Sequence, residues 1–293
     1  MNKTRAWLLA TRPRTLTATA TPVLVGAALT WHHAGAVDPF LVLCAVLCTL
    51  SLQIATNLVN DVSDFQKGTD TAERLGPRRA TAQGWLSPAA VWTGAVVALA
   101  LAVVTGFPLI QAGGWPLVLL GAASLVAAVA YTAGPFPLAY LGLGELFVLV
   151  FFGWVAVGGF VYALTLRWDV PGQWLAATQI GALSVVMIAI NNLRDMEGDR
   201  QSGKHTLAAR YGRGFMLALL AAALFGPYVL GGLWLQLAPA AAMLPVLALP
   251  LAGKLFHNLC HTPPSAAMNA LLGKASLHLL LFGFLLAVGL LWR

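Results

Sequence analysis

Long apolar runs alternate with short polar breaks along most of the chain, and the breaks are marked by Pro, Gly or charge. A hydrocarbon core of about 30 Å needs roughly 20 apolar residues per helix, so the pattern predicts about nine membrane spans. They lie near 16–34, 39–59, 88–107, 114–133, 141–165, 172–192, 214–233, 236–253 and 269–291. Asp38-Pro39 and Ser87-Pro88 read as N-caps followed by proline at the first helical position. Pro22 is expected to kink the first span, and Pro239, Pro245 and Pro250 interrupt the eighth. The expectation is an all-α, polytopic membrane protein forming a single domain over 1–293.

Two polar stretches break this pattern differently. NLVNDVSDFQKGTD (57–70) and NNLRDMEGD (191–199) each end an apolar run with amides and carboxylates. On a helix Asn57, Asp61 and Asp64 share one face, as do Asn192, Asp195 and Asp199. Several carboxylates within reach of one another at a membrane edge call for neutralising cations, and oxygen-only ligands select a hard ion such as Mg2+. Both stretches continue into Gly and cations. The first runs into Lys67, Gly68, Asp70, Arg74, Gly76-Pro77, Arg78 and Arg79; the second into Arg200, Gly203, Lys204 and His205. Acids interleaved with cations suit a ligand carrying both metal ions and excess negative oxygen, as a metal-bound diphosphate does. The chain has no Gly-rich Walker loop to suggest a nucleotide.

Composition agrees. With 59% hydrophobic and 9% charged residues, the chain is too apolar for an ordinary soluble domain. A net charge of +7 could suggest nucleic acid. With the amino terminus in the cytoplasm, however, every Lys and Arg except Arg167 and Arg293 falls on the cytoplasmic side, so the excess reads as topology and no nucleic-acid partner is expected. Asp61, Asp64, Asp70, Glu73, Asp195, Glu197 and Asp199 gather in two loops on that side, a clustering that orientation does not require. Lys3 and Arg5 read as anchors before an uncleaved first span, whereas Arg12 and Arg14 flank Pro13 and carry a second reading as phosphate donors. His32 and His33 read as solvated. Cys44, Cys48 and Cys260 match no metal or disulfide spacing, and His257 and His261 have no acidic partner. Glu145 opens the fifth span, either as a functional membrane glutamate or as a charge favoured at a helix N-terminus.

A diphosphate whose other end is a polyprenyl chain would have the bilayer as its natural solvent. Its ionisation creates an allylic cation that must meet an acceptor before water does, which calls for an apolar, aromatic-lined interior under a polar cap. The paired stretches NLVNDVSDFQKGTD and NNLRDMEGDRQSGKHTLAARYG resemble the two aspartate-rich motifs of the UbiA superfamily of intramembrane aromatic prenyltransferases. RPRTL, GPRRA and YTAGPFPLAYLGLGELFVLVFFG are similar to its 1,4-dihydroxy-2-naphthoate branch, which serves menaquinone synthesis.

The resemblance implies nine transmembrane helices around a central cavity in the inner cell membrane, with the site toward the cytoplasm. It implies metal ligands among Asn60, Asp61, Asp64, Asp70, Asn192, Asp195 and Asp199. Lys67, Arg79, Arg194 and Lys204 would face diphosphate, and Asn57, Tyr131 and Glu145 the acceptor. Gly68 stands where many members place the last aspartate of the first motif, and Asp70 follows two residues on. The implied reaction joins polyprenyl diphosphate to 1,4-dihydroxy-2-naphthoate with loss of CO2 and diphosphate, giving demethylmenaquinone. Asp64, Asp70, Asp195 and a metal-bound water all stand as candidate bases. Rival readings are a sister enzyme acting on 4-hydroxybenzoate or homogentisate, and a divalent-cation transporter.

Overall fold

The structure, a computed structural model, describes residues 2–68, 75–135 and 137–292, without the side chains of Arg14 and Thr17. Every regular element in these residues is helical. In order they are α1 (Lys3–Ala10), α2 (Pro13–Ala34), α3 (Pro39–Gln66), α4 (Pro88–Gly113), α5 (Trp115–Ala130), α6 (Gly144–Val148), α7 (Gly159–Thr165), α8 (Gln173–Arg194), α9 (Met196–Gln201), α10 (Leu207–Gly231), α11 (Pro239–Met243), α12 (Leu249–His261) and α13 (Met268–Leu291). A π-helical stretch, Leu149–Gly158, joins α6 to α7, and a 3-10 turn, Leu244–Ala248, joins α11 to α12.

Among the described residues, 7 helices have the length and hydropathy to cross a membrane: Pro39–Gln66, Pro88–Gly113, Gly144–Thr165, Gln173–Arg194, Leu207–Gln236, Pro239–His261 and Met268–Leu291. Two further expected spans are helical but different in character. Helix α2 has 22 residues, but Thr15, Thr17, Thr19, Thr21, Thr30, His32 and His33 lower its hydropathy. Helix α5 is apolar but has 16 residues, about 24 Å at about 1.5 Å per residue. The three prolines of the eighth expected span are absorbed without breaking it. Each sits in a first turn, where no N–H is missed, of α11, of the 3-10 turn and of α12.

Cross-links between distant segments define the two ends of the bundle. At one end Asn57 donates to the Thr11 carbonyl, Lys67 to that of Thr132, the His205 amide to that of Tyr140, and Asn269 to that of Leu75. At the other, His32 meets the Leu290 carbonyl at 2.7 Å, His33 meets that of Pro171 at 2.9 Å, and Gln173 donates to that of Gly158. His32 and His33 are therefore held by the fold rather than simply solvated. Trp31, Trp115, Trp168, Trp174 and Trp292 are exposed at this second end, as residues at headgroup level are. The described parts of the long connections, 75–87, 137–143 and 195–206, gather at the first.

Helix α8 runs through the core, burying Ala176, Ala177, Ile180, Leu183, Ala189 and Ile190. Lipid tails are as apolar as leucine, so helices in a membrane associate through close packing of small residues. At the crossing of α8 and the π-helical stretch, a Cβ on Gly153 would lie 2.4 Å from the Ala177 carbonyl oxygen, and one on Gly181 would lie 2.7 Å from that of Leu149. Backbone therefore meets backbone, and the cavity wall is set there. Gly181→Val should drive these helices apart and destabilise the protein by about 2 kcal/mol or more. Gly253→Ala, whose added Cβ meets nothing within 4 Å, serves as the control. Thermal unfolding in detergent, followed by tryptophan fluorescence, reads the difference.

Candidate active site

Residues 57–66 of the first acidic stretch form the last turns of α3, where Asn57, Asn60, Asp61 and Asp64 each meet separate partners. Asn57 donates to the Thr11 carbonyl at 2.9 Å and to the Thr15 hydroxyl at 3.1 Å, tying α3 to the α1–α2 corner. Asn60 accepts from the Thr132 hydroxyl. Asp61 accepts from the amides of Ala80 at 2.9 Å and Thr81 at 3.0 Å, and also from the Thr81 hydroxyl. Asp64 pairs with Arg79 at 2.7 Å, accepts from the Tyr140 hydroxyl at 2.9 Å, and lies 3.3 Å from the Lys204 ammonium. The expected shared face is thus divided. Asp61 is turned to the returning limb of the loop and clamps it, while Asp64 is turned to the second motif.

Tyr140, which sequence reasoning passed over, is the hub between the motifs. The ammonium groups of Lys67 and Lys204 each lie 4.6 Å from its ring centroid, its hydroxyl reaches Asp64, and its carbonyl accepts from the His205 amide. Gly142 keeps this turn close to the second loop. Its φ is +76°, and an added Cβ would lie 2.7 Å from the His205 carbonyl oxygen. Burial lowers the Lys67 pKa against the pull of Asp64, and the Lys204 charge adds to the lowering.

In the second motif Arg194, itself buried, forms a fork with Asp195 through Nε at 2.8 Å and Nη2 at 2.5 Å. Its third nitrogen, Nη1, donates to Asn269 at 2.6 Å. Asn192 donates to Glu145 at 2.8 Å, which turns the Asn192 amide oxygen away from Glu145. Glu145 is buried and its Oε2 has no partner, so it does not sit at an exposed helix start. Asp199 accepts from the Thr206 hydroxyl. Burial pushes the Asp199 carboxyl up to about 7, with Asp195 and Asp64 adding to the rise and Lys204 opposing it. Asp70 and Arg74 lie outside the described residues.

Among the described residues no three His, Cys, Asp or Glu side chains form a ready-made metal site. The donor chemistry nevertheless fits a hard cation. Asp199 feels the charges of Asp195 and Asp64 from both motifs, and oxygen donors face that charge. Such a buried acid gains most from a divalent ion with oxygen ligands.

Beside this cluster opens a cavity of about 510 Å³. Arg12, Asn57, Asn60, Tyr131 and Asn191 make its wall polar near the motifs, and Leu117, Cys48, Phe151, Phe152 and Met187 make the rest apolar. Asn57 and Tyr131 thus line this cavity, while Glu145 stands behind the lining. Arg12 reaches the cavity from a left-handed backbone, φ 52°, at the corner between α1 and α2.

Comparison with known proteins places this arrangement. Residues 19–274 match the UbiA prenyltransferase family. The chain is 34% identical to the 1,4-dihydroxy-2-naphthoate octaprenyltransferase of Escherichia coli (strain K12), over 99% of this chain and 96% of that protein. The apo structure of a UbiA homolog from Aeropyrum pernix K1 has the same fold, with a TM-score of 0.69 and 19% identity over 94% of this chain and 96% of that one. A UbiA homolog from Archaeoglobus fulgidus bound to DMAPP and Mg2+ follows at 0.60 and 15% identity, over 96% of this chain and 99% of that one.

The acid that clamps the loop and the acid of the second motif should separate experimentally. Asp61→Ala releases the Ala80 and Thr81 amides and should speed tryptic cleavage after Arg78 and Arg79 several-fold, an effect that Asp195→Ala should not share. Limited proteolysis followed by mass spectrometry measures both.

Proposed function

As the chain belongs to the UbiA prenyltransferase family, we propose that it transfers a polyprenyl group from polyprenyl diphosphate to 1,4-dihydroxy-2-naphthoate, with release of CO2 and diphosphate, in menaquinone synthesis. The observation that carries this reading is the junction of two aspartate-rich helix ends through Asp64, Tyr140 and Lys204, set at the polar end of an apolar cavity. The likeness of nearly the whole chain to the Escherichia coli octaprenyltransferase supports the naphthoate acceptor.

The site's own residues account for the chemistry as follows. The diphosphate lies at the motif end, where Lys67, Lys204 and Arg79 supply positive charge, and the prenyl tail lies along the apolar wall. Asn60, Asp64, Asn192, Asp195 and Asp199 would hold Mg2+, with Asp70 joining them by its place in the motif. When bound, Mg2+ offsets the charge of the departing diphosphate. Asp61 leaves the ligand set, because its carboxylate serves the loop. Arg194 leaves the diphosphate set, because its fork is committed to Asp195 and Asn269.

Breaking the prenyl C–O bond creates an allylic cation, which Phe147, Phe151 and Phe152 shield from water. Tyr131 and Asn57 hold the acceptor, whose ring hydroxyl gives its proton to a carboxylate of the cluster. The ring carbon bearing the carboxylate forms the new C–C bond, that carboxylate leaves as CO2, and the cluster carboxylate returns the proton to the ring oxygen that takes up the electron pair of the broken bond. The product is demethylmenaquinone in its reduced form.

Nine spans follow when α2 and α5 join the seven apolar helices as one integral-membrane domain over 1–293, embedded in lipid around the cavity. The gathering of Lys and Arg at the motif end turns the site and the amino terminus to the cytoplasmic face of the cell membrane.

Purified protein in lipid nanodiscs, given octaprenyl diphosphate and 1,4-dihydroxy-2-naphthoate, should form a prenylated naphthoquinone. Chelation should abolish turnover and Mg2+ restore it. Asp64→Ala and Asp195→Ala should each lower kcat/KM at least about 100-fold. Chromatography of the product reads all arms, and turnover with 4-hydroxybenzoate or homogentisate alone would move the chain to a sister branch.

A further inference from the structure

Asn269, in the first turn of α13, belongs to neither acidic motif and to no segment that the sequence marks as functional. Its amide oxygen accepts from Arg194 Nη1 at 2.6 Å, and its amide nitrogen donates to the Leu75 carbonyl at 2.8 Å. One side chain thereby joins three parts of the chain: the second motif, the returning limb of the first-motif loop, and the last helix.

Both ends of these two bonds lead into the site. Arg194 is 2% exposed and uses its other two nitrogens on Asp195, so its bond to Asn269 engages the third nitrogen of the guanidinium and sets its plane. The plane of the guanidinium in turn sets the Asp195 carboxylate. That carboxylate remains 26% exposed, with lone pairs available beyond the fork. On the other side, the limb from Leu75 to Thr81 is held at both of its ends. Asp61 and Asp64 hold its far end at Arg79, Ala80 and Thr81, and Asn269 holds its near end at Leu75. Gly76, Pro77 and Arg78 lie between the two anchors. Without the near anchor, the stretch leading into Arg79 would be held from its far end alone, and the Arg79–Asp64 pair would bear the motion of that stretch.

We infer that Asn269 is a positioning residue of this site, whose single amide fixes the Arg194–Asp195 fork and the limb that carries Arg79 to Asp64. It touches neither donor nor acceptor and acts through Arg194 and Leu75. This role rests on the reading of the two motifs as the diphosphate site.

Two substitutions suited to a helix start divide the two bonds. Asn269→Ser removes both, while Asn269→Asp keeps an acceptor for Arg194 and loses the donor to Leu75. Hydrogen exchange in nanodiscs should quicken across residues 75–81 in both variants. In Asn269→Ser the calorimetric Kd for inorganic diphosphate with Mg2+ should rise about tenfold, the loss expected for one charge-assisted hydrogen bond. The KM for octaprenyl diphosphate should rise in step, with kcat within about threefold of the parent. Asn269→Asp should show a smaller rise in both.

Parental exchange across 75–81 in both variants would overturn the anchor, and unchanged Kd and KM in Asn269→Ser would overturn the brace on Arg194. Asp195→Ala separates this inference from the reading beneath it. If Asp195→Ala turns over normally, the reading of the site fails and the brace with it. If Asp195→Ala is inactive while both Asn269 variants behave as the parent, Asn269 alone is overturned.

Discussion

The Asp64 carboxylate is the point at which the folded chain becomes a site. It is almost wholly removed from solvent, and such a charge is tolerated only when partners surround it. Those partners are Arg79, Tyr140 and Lys204, which lie 15, 76 and 140 residues away in the chain. Satisfying one carboxylate therefore requires the end of α3, the loop after it, the turn before α6 and the loop after α9 to meet at one end of the bundle. Removing any of these partners would weaken the compensation of a buried charge, so loop placement and electrostatics depend on each other.

The apolar half of the molecule answers a different demand. Close contact of glycine faces between α8 and the π-helical stretch leaves one side of the bundle dense, and the cavity opens beside it, lined by α2, α3, α4, α5, α6, α7, α8 and the same π stretch. A wall of Leu, Phe and Met offers a cation no water, while the motif end offers a leaving anion several positive groups. That division of labour suits a reaction whose substrate is polar at one end and a hydrocarbon at the other.

Much of this could be read from residue order. The all-helical fold, the proline N-caps at Pro39 and Pro88, and the pairing of two acidic helix ends followed by cations all follow from local pattern. The finer allocation of roles did not. Asn60 and Asp61 are adjacent, hence about 100° apart around α3. That angle sends one to Thr132 and the other to the loop at Ala80. Helical spacing places Asn57, Asp61 and Asp64 on a common face but cannot say which neighbouring segment will reach each of them. Arg194 likewise stands in the motif as a candidate phosphate donor, and spacing could not show that its nitrogens turn to Asp195 and Asn269.

The sequence by itself determined the solvent, the helices and the chemical inventory, because hydropathy, capping and the spacing of acids are properties of short segments. Tertiary structure decided which acid clamps a loop and which faces the other motif. It also decided that Tyr140 and Asn269 matter and that Glu145 stands behind the cavity rather than in it. Those outcomes depend on hydrogen bonds between residues tens to hundreds of positions apart, and a bond of that kind leaves no periodic mark on either segment. It exists only once packing has brought a donor and an acceptor to the same buried place.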